Sequence, residues 1–319
     1  MSTFTTESIS FINHLKFEKN LSAKTIKAYS TDLRQFNEFL QKNNYPIEID
    51  KISKIEIRSF LEFISNLKPK SIKRKIATIK ALFNYLEFED TILINPLRKM
   101  KIKIREPKRL PKVMDIGEIK QVLNSAYQKH QLSYNLDSYG YFETLRNVVV
   151  LELLFSTGAR VSEIADLKTE NIQLSTGEIS IKGKGDKERV IQICNIEAMN
   201  CIKKYFNLFK NEIKLSGGYF LVNRFGNKLS DQSIRGIVKN VCKKTKIIKN
   251  ITPHVFRHTM ATLLLENDVD IRYIQTILGH SSINTTQIYT HVNQIKQRQI
   301  LKTKHPRKDM IFNNNIASK

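Results

Sequence analysis

Four separated segments of the sequence combine polar side chains with turn or helix signals in a way that could support chemistry on an anion. In the first, Arg160 stands three residues before Glu163, just after Gly158, which is predicted to end a helix. An arginine and a glutamate at this spacing also form ordinary surface ion pairs, which contribute little to stability. In the second, Lys184 lies between two glycines of a predicted hairpin, where the backbone can turn tightly. Most lysines in such hairpins are merely solvated, so neither segment is decisive alone.

The third segment, TPHVFRH, begins at Thr252. Thr252 and Pro253 fit the N-cap and the first position of a helix, which places His254 and Arg257 in its first turns. Because the two residues are spaced by three, their side chains share one helix face. Donors beside a helix N-terminus form a natural phosphate or oxyanion site. His258 points elsewhere and is predicted to be structural.

The fourth segment holds His280, directly after Gly279, and Tyr289, nine residues further along. A lone histidine after a glycine usually caps a helix or packs, and a lone tyrosine at helical spacing usually belongs to a core. The segment therefore indicates a function only in combination with the other three segments.

Charge indicates the partner of the whole chain. The sequence has 53 Lys and Arg against 30 Asp and Glu, a formal net charge of +23, and the excess extends over both sides of Pro107. A surface this positive attracts a polyanion through counterion release, which favours nucleic acid, although a basic proteome or ribosome association would give a similar composition. Three cysteines without paired metal spacing indicate reduced thiols in a cytoplasmic protein. The apolar runs are too short to span a membrane.

The elements that must position these segments fall into two groups. The first group, residues 1–94, is predicted to form a helical DNA-binding bundle. One helix is capped by Ser22, a second begins at Ser53 with Glu56 completing a capping box, and a third follows Ser71. The apolar stripe of the first of these helices consists of Ile26, Tyr29, Leu33, Phe36 and Leu40.

The third helix and its approach are basic over six positions without an intervening acid. These positions are Lys68, Lys70, Lys73, Arg74, Lys75 and Lys80. A charge run is usually a solvated face, but six cations exceed what solubility requires, so we interpret this outer face as one that contacts DNA phosphates. Residues 95–112 are rich in Pro, Lys and Arg and predict an extended basic linker lying along DNA, with Lys101 and Lys103 as further contacts.

Residues 113–306 predict a mixed domain that is mainly helical, and residues 307–319 a flexible tail. Helices are expected near 115–128, 144–157, 161–168, 196–211, 230–245, 253–266 and 270–278. Two short strands, 177–182 and 189–193, should form an antiparallel hairpin around the Gly-rich tip. The stretch 129–143 has turn residues and aromatic residues without a clear period and is predicted to be a loop.

Taken together and in this order, the four segments resemble the catalytic motifs of the tyrosine recombinase (phage integrase) family, especially its Xer-like branch. The motifs read TGARVSE, GKGDKER, HVFRH and LGHSSINTTQIYTHV, and the helix LSAKTIKAYSTDLRQFNEFL resembles the family's core-binding domain. The resemblance covers nearly the whole chain and every catalytic position of the family is filled. It implies an N-terminal helical, SAM-like core-binding domain and a mainly α catalytic domain with a small antiparallel sheet.

The resemblance implies that Arg160 and Arg257 clamp the scissile phosphate and that Glu163 braces the site. Attack on a phosphodiester builds negative charge on its nonbridging oxygens. Two guanidiniums offer planar forks that neutralise this charge without a metal ion.

The remaining catalytic positions concern protons and the covalent bond. Tyr289 matches the nucleophile, and its phenol, with a pKa near 10, must lose its proton locally. His254 and His280 match the remaining phosphate-binding and proton-transfer positions, where imidazole can serve as an acceptor. Lys184 matches the hairpin lysine that protonates the leaving 5′ oxygen.

The implied activity is site-specific cleavage and rejoining of DNA through a 3′-phosphotyrosine intermediate. The implied partners are double-stranded DNA with a short inverted-repeat site and a homo- or hetero-tetramer assembled on it. No cofactor is predicted, because the sequence lacks the acidic cluster of a two-metal nuclease and a nucleotide-binding GK[ST] loop. The Xer role in resolving chromosome or plasmid dimers is preferred over integration of a mobile element. A noncatalytic regulator and a type IB topoisomerase rank lower.

Overall fold

The computed structural model describes residues 2–107, 111–133, 139–183 and 188–279. Its contacts divide the chain into two compact units, Met1–Lys108 and Arg109–Lys319, here called the N-terminal and C-terminal units. The division falls within the range predicted as a linker. Each unit has its own hydrophobic core.

The N-terminal unit is a bundle of four α-helices. They are α1 Phe4–Phe17, α2 Ala23–Lys42, α3 Lys54–Phe63 and α4 Pro69–Phe88, with one 3₁₀ turn at Ile49–Lys51. The predicted caps are confirmed, since the Ser22 side chain accepts from the Thr25 backbone N–H and Ser53 forms a capping box with Glu56. Each cap satisfies backbone donors that have no partner within the helix. The apolar stripe of α2 faces the bundle core, where its residues Leu33, Phe36 and Leu40 are buried.

Two helix starts differ from the prediction. The sequence did not predict α1, whose buried residues Phe4, Phe11 and Leu15 are too widely spaced to form a continuous stripe. The start predicted for α4 at Ser71 is wrong, because the helix begins at Pro69. Proline at the first helical position needs no N–H and already has a helical φ, so it starts a helix without a side-chain cap.

The predicted position of Lys75 on the outer face of α4 is wrong. Its ammonium is buried and lies 3.1 Å from Asp32 Oδ1 on α2, and it also donates to Gln35. Arg74 donates to the same carboxylate, and the Thr78 hydroxyl lies 3.2 Å from it. A buried carboxylate needs such partners because its desolvation is costly. Lys75 therefore joins α2 to α4.

We expect Lys75→Ala to lower the free energy of unfolding by on the order of 3 kcal/mol, because it removes one partner of a buried ion pair. Urea denaturation of the purified protein measures the change. Lys73→Ala is the matched control, since its ion pair with Glu106 is exposed and worth less than about 1 kcal/mol. Equal losses from the two replacements would contradict a structural role for Lys75.

Part of the range predicted as a linker packs on the N-terminal unit. Leu97 is buried in its core, and Met100, Ile102 and Ile104 pack against that core. Lys101 and Lys103 alternate with these residues and are exposed. In extended backbone, successive side chains point to opposite sides, so one side anchors the segment and the other presents cations.

The C-terminal unit contains eight α-helices and one three-stranded sheet among its described residues. The helices are α5 Ile116–Gln131, α6 Tyr139–Thr157, α7 Val161–Ala165, α8 Ile196–Leu208, α9 Lys210–Leu215, α10 Asp231–Cys242, α11 Pro253–Glu266 and α12 Ile271–Leu278. The strands β1 Ile172–Gln173, β2 Glu178–Lys182 and β3 Glu188–Gln192 form an antiparallel sheet in the order β1-β2-β3. All seven predicted helices and both predicted strands are present. The helix predicted over 196–211 is divided at Phe209.

The loop predicted over 129–143 is wrong at both ends, because α5 continues to Gln131 and α6 begins at Tyr139. His130 of α5 contacts α6 in two ways. The centroid of its ring lies 4.6 Å from that of Tyr141, and its Nδ1 lies 3.1 Å from the Thr144 hydroxyl. Most of α6 is buried. A helix that is covered on all sides has no polar face, so its sequence shows no helical stripe.

Candidate active site

The turn between α6 and α7 carries Arg160. Gly158 has a φ of 57°, in the left-handed region, and a Cβ at this position would lie 2.5 Å from Met260 Sδ on α11. Only glycine combines this backbone conformation with so close a contact. The chain can therefore turn tightly against α11 and enter α7 at Arg160, which is the N-cap residue.

Glu163 holds Arg160 in two ways. Its carboxylate accepts from the Arg160 backbone N–H at 2.8 Å and from Arg160 Nη1 at 2.7 Å. The Glu163 side chain is 5% exposed, whereas that of Arg160 is 38% exposed. This is not an ordinary surface ion pair, because the acid is buried. The arrangement fixes the arginine through Nη1 and leaves part of its side chain accessible to a ligand.

A second arginine, Arg189 on β3, binds the same carboxylate. Its Nη2 lies 2.7 Å from Glu163 Oε2 and its Nη1 3.3 Å from Oε1. Burial raises the pKa of Glu163, but hydrogen bonds from Arg189 and Arg160 outweigh this effect and hold the pKa below its usual value. Glu163 is therefore ionised at neutral pH. Sequence analysis missed Arg189, although it is the last residue of the GKGDKER motif.

Arg257 is buried and joins three parts of the C-terminal unit. Its Nη1 donates to the Gly158 carbonyl at 2.8 Å and its Nη2 to the Leu278 carbonyl at 2.7 Å. The side chain thus connects α11 with the α6–α7 turn and with the end of α12. Because Gly158 is two residues before Arg160, the two arginines predicted to clamp the phosphate meet at the same turn.

The first turns of α11 carry two histidines in different environments. Thr252 is the N-cap residue and Pro253 the first helical residue, as predicted. His254 is exposed, three residues before Arg257. His258 is partly buried, and burial, together with the charges of His254 and Arg257, lowers its pKa to about 4. His258 is therefore neutral at pH 7, whereas His254 is accessible at the helix N-terminus.

Three predicted catalytic residues, Lys184, His280 and Tyr289, lie outside the described residues. The structure describes the elements that flank them. The antiparallel register pairs Lys182, the last residue of β2, with Glu188, the first residue of β3. At the end of α12, Gly279 has a φ of 65° and forms the left-handed C-cap. The roles of these three residues remain predictions.

The six predicted DNA contacts differ in exposure. Lys70, Lys73, Arg74, Lys101 and Lys103 are exposed, whereas Lys75 is buried. Lys73 and Arg74 each pair with an acid of the N-terminal unit. Exposed cations without a strong internal pair lose little when they bind a phosphate. We therefore expect Lys70, Lys101 and Lys103 to contribute most to DNA binding.

Replacing Lys70, Lys101 and Lys103 together by alanine is expected to weaken the salt dependence of DNA binding. Each phosphate contact adds about −0.9 to the slope of log affinity against log salt concentration, so the slope should become less steep by up to about 3. Fluorescence anisotropy at several salt concentrations measures it. The matched control replaces Lys16 on α1, Lys42 on α2 and Lys19 between the two helices, which are all exposed, and it has the same net charge. Equal slopes for the two triple variants would show that the chosen lysines only add charge.

Within residues 2–107, 111–133, 139–183 and 188–279, no group of three His, Cys, Asp or Glu side chains is arranged to hold a metal ion. The helices of the same ranges include none that is long and apolar enough to cross a membrane.

Comparison with known proteins identifies the fold and the family. The Phage integrase family matches residues 126–296, and the Phage integrase N-terminal SAM-like domain matches residues 9–90. A tyrosine recombinase of Agathobacter rectalis is 45% identical over 98% of this chain and 100% of its own length. Tyrosine recombinase XerD of Listeria innocua is 34% identical over 93% of this chain and 97% of its own length.

The solved structure of a XerH site-specific recombinase bound to a palindromic difH substrate has a similar fold. It aligns with a TM-score of 0.70 and 22% identity over 93% of this chain and 84% of that chain. The mainly helical fold with a small antiparallel sheet is thus confirmed. The sequence relatives, which match over nearly their whole lengths, confirm the family resemblance. The chain belongs to the phage integrase family of tyrosine recombinases, enzymes that cleave and rejoin DNA.

Proposed function

We propose that this chain is a Xer-type site-specific recombinase that exchanges DNA strands through a 3′-phosphotyrosyl bond to Tyr289. The observation that carries the proposal is the meeting of two arginines at one turn. Arg257 binds the Gly158 carbonyl, and Arg160 follows Gly158 by two residues with its side chain partly exposed. A phosphate at this turn would meet the Arg160 guanidinium, which the buried Glu163 carboxylate holds, and the Arg257 guanidinium, which backbone carbonyls hold. Two fixed guanidiniums stabilise developing negative charge.

In the proposed reaction the number of phosphate ester bonds stays constant, because each ester bond that forms replaces one that breaks. The Tyr289 phenol oxygen attacks phosphorus and passes its proton to His254 or His280. The bond from phosphorus to the 5′ oxygen breaks, and this oxygen takes a proton from Lys184. In the reverse step, the 5′ hydroxyl of another strand attacks the phosphotyrosine and releases Tyr289. Because the phosphotyrosyl bond retains the energy of the broken ester, rejoining requires no ATP.

The Xer role is supported by the relatives named XerD, which match the chain nearly from end to end. We propose that the substrate is double-stranded DNA with a short inverted repeat, bound by a tetramer that contains this chain alone or with a second recombinase. The chain would then act in the cytoplasm. Integration or excision of a mobile element is the alternative role, and it uses the same chemistry on different DNA.

A recombination assay on two classes of DNA tests this proposal. Inverted-repeat sites from the host chromosome and the ends of mobile elements adjacent to the gene are each placed on two labelled duplexes of unequal length. We expect recombinant duplexes from a chromosomal site and a tetramer by light scattering on the paired DNA. Exchange at the element ends alone would overturn the Xer role and assign the integrase role. Specific binding without cleavage at any site would overturn the proposed reaction.

A further inference from the structure

The Arg189 guanidinium connects three segments that are far apart in the sequence. It extends from β3 and binds both carboxylate oxygens of Glu163 on α7. Its Nε donates to the Ile277 carbonyl at the end of α12, at 2.9 Å. The side chain is 9% exposed, so these contacts are shielded from water. Shielded, charge-assisted hydrogen bonds are among the strongest in proteins and fix geometry tightly.

On one side, Arg189 determines how Glu163 holds Arg160. Both guanidiniums donate to the single buried carboxylate of Glu163. Its Oε1 accepts from Nη1 of Arg160 and Nη1 of Arg189, and its Oε2 accepts from the Arg160 backbone N–H and Nη2 of Arg189. Without Arg189, Glu163 would be a buried acid with one arginine partner and room to rotate. Arg160 would then lose the fixed inner edge that orients its accessible side.

On the other side, Arg189 holds the end of α12. The last carbonyls of a helix lack partners within it and carry partial negative charge. Arg189 binds Ile277 and Arg257 binds Leu278, so two arginine side chains hold adjacent carbonyls. A Cβ on Gly279 would lie 3.0 Å from Arg189 Nη1, which shows how closely the chain passes the guanidinium. Arg189 therefore sets the path of the backbone just before His280.

We propose that Arg189 is a positioning residue for DNA cleavage, which holds Arg160, through Glu163, and the end of α12 in a single arrangement. This role rests on the proposed reaction, in which Arg160 binds the phosphate and the segment after α12 carries His280 and Tyr289. In this proposal Arg189 acts through its bonds to Glu163 and Ile277 and not through a contact with the substrate. Its contribution should appear in the rate of the chemical step and not in DNA affinity.

The test measures single-turnover cleavage of a nicked suicide duplex at saturating protein. Arg189→Ala is expected to lower the rate constant about 10- to 100-fold, since a displacement of about 1 Å in a catalytic group can have such an effect. DNA affinity should stay within about twofold. Arg189→Lys keeps the charge but not the planar fork, so its rate constant should lie between those of Arg189→Ala and wild type. Arg272→Ala is the matched control, because it removes an exposed guanidinium from the other end of α12 and should leave the rate unchanged.

A purely structural role is separated from positioning by two further measurements. Partial unfolding lowers the amplitude of cleavage, whereas misplaced groups lower the rate constant of the folded molecules. If Arg189 acts through Glu163, the double variant Arg189→Ala/Glu163→Gln loses much less than the product of the two single losses. A reduced amplitude with a normal rate constant, or fully multiplicative losses, would overturn the proposal. Absence of covalent product with the wild-type protein would instead contradict the proposed reaction itself.

Discussion

Tyr289→Phe is expected to abolish the covalent protein–DNA complex while leaving DNA affinity unchanged. Phenylalanine keeps the ring and removes only the oxygen that would attack phosphorus. With wild-type protein, a nicked suicide substrate should trap the chain on the 3′ phosphate as a product that resists detergent and is removed by protease. The measurement is a denaturing gel with DNA labelled on the 3′-phosphate side of the scissile bond. Trapping by the Phe variant would exclude Tyr289 as the nucleophile.

The leaving group offers an independent control for the same experiment. Lys184→Ala should slow trapping on an ordinary substrate, because a 5′ alkoxide leaves poorly without a proton donor. A substrate with a 5′ thiolate leaving group should restore the rate, since a thiolate needs no acid. The Phe variant should remain inactive on both substrates. Equal slowing of the Lys184 variant on both substrates would contradict its role as the acid.

Arg257→Ala is expected to lower the rate of cleavage by on the order of 10²–10³, the usual effect of losing one preorganised donor to a developing charge. Arg160→Ala should have a similar effect on the rate. Binding should fall much less in both variants, because other cations hold the duplex. Rates of suicide-substrate cleavage are compared with dissociation constants for the same DNA. Equal losses in cleavage and binding would show that these arginines only contact the DNA backbone and have no special role in cleavage.

Stability should distinguish the two arginine variants. Arg257 is buried, and its removal leaves the Gly158 and Leu278 carbonyls without their guanidinium donors. Each buried acceptor without a partner costs about 1–3 kcal/mol, so the melting temperature of Arg257→Ala should fall. Arg160→Ala leaves Glu163 paired with Arg189 and should melt close to wild type. A similar fall in both variants would contradict a separate structural role for Arg257.

The sequence predicted the elements whose signals are local. The stripe and cap of α2, the capping box of α3 and the start of α11 at Pro253 depend on neighbours within a few residues. Such signals can be read without knowing the tertiary structure. The spacing of Arg160 and Glu163 was likewise compatible with an ion pair, and the family resemblance implied that Glu163 braces the site. These parts of the fold and of the candidate site could therefore be predicted.

The long-range contacts could not be predicted in the same way. Arg189 meets Ile277, which is 88 residues away in the sequence. Arg189 ends the GKGDKER motif, but the motif does not show which distant residues this side chain contacts. Lys75 is different, because it follows Ile72 by three and precedes Ile79 by four. It therefore shares the buried face of α4, a signal that the charge run concealed.

The anchored segment after α4 has a practical consequence for protein engineering. A hybrid made by exchanging the first domain between relatives needs a junction, and the stretch just after α4 is an obvious place for it. A junction at residue 94 would separate Leu97, Ile102 and Ile104 from the core on which they pack. The donor fragment would then display an apolar groove, and the recipient would bring a segment shaped for another protein. Junctions after residue 107 keep each exchanged domain together with its own packing partner.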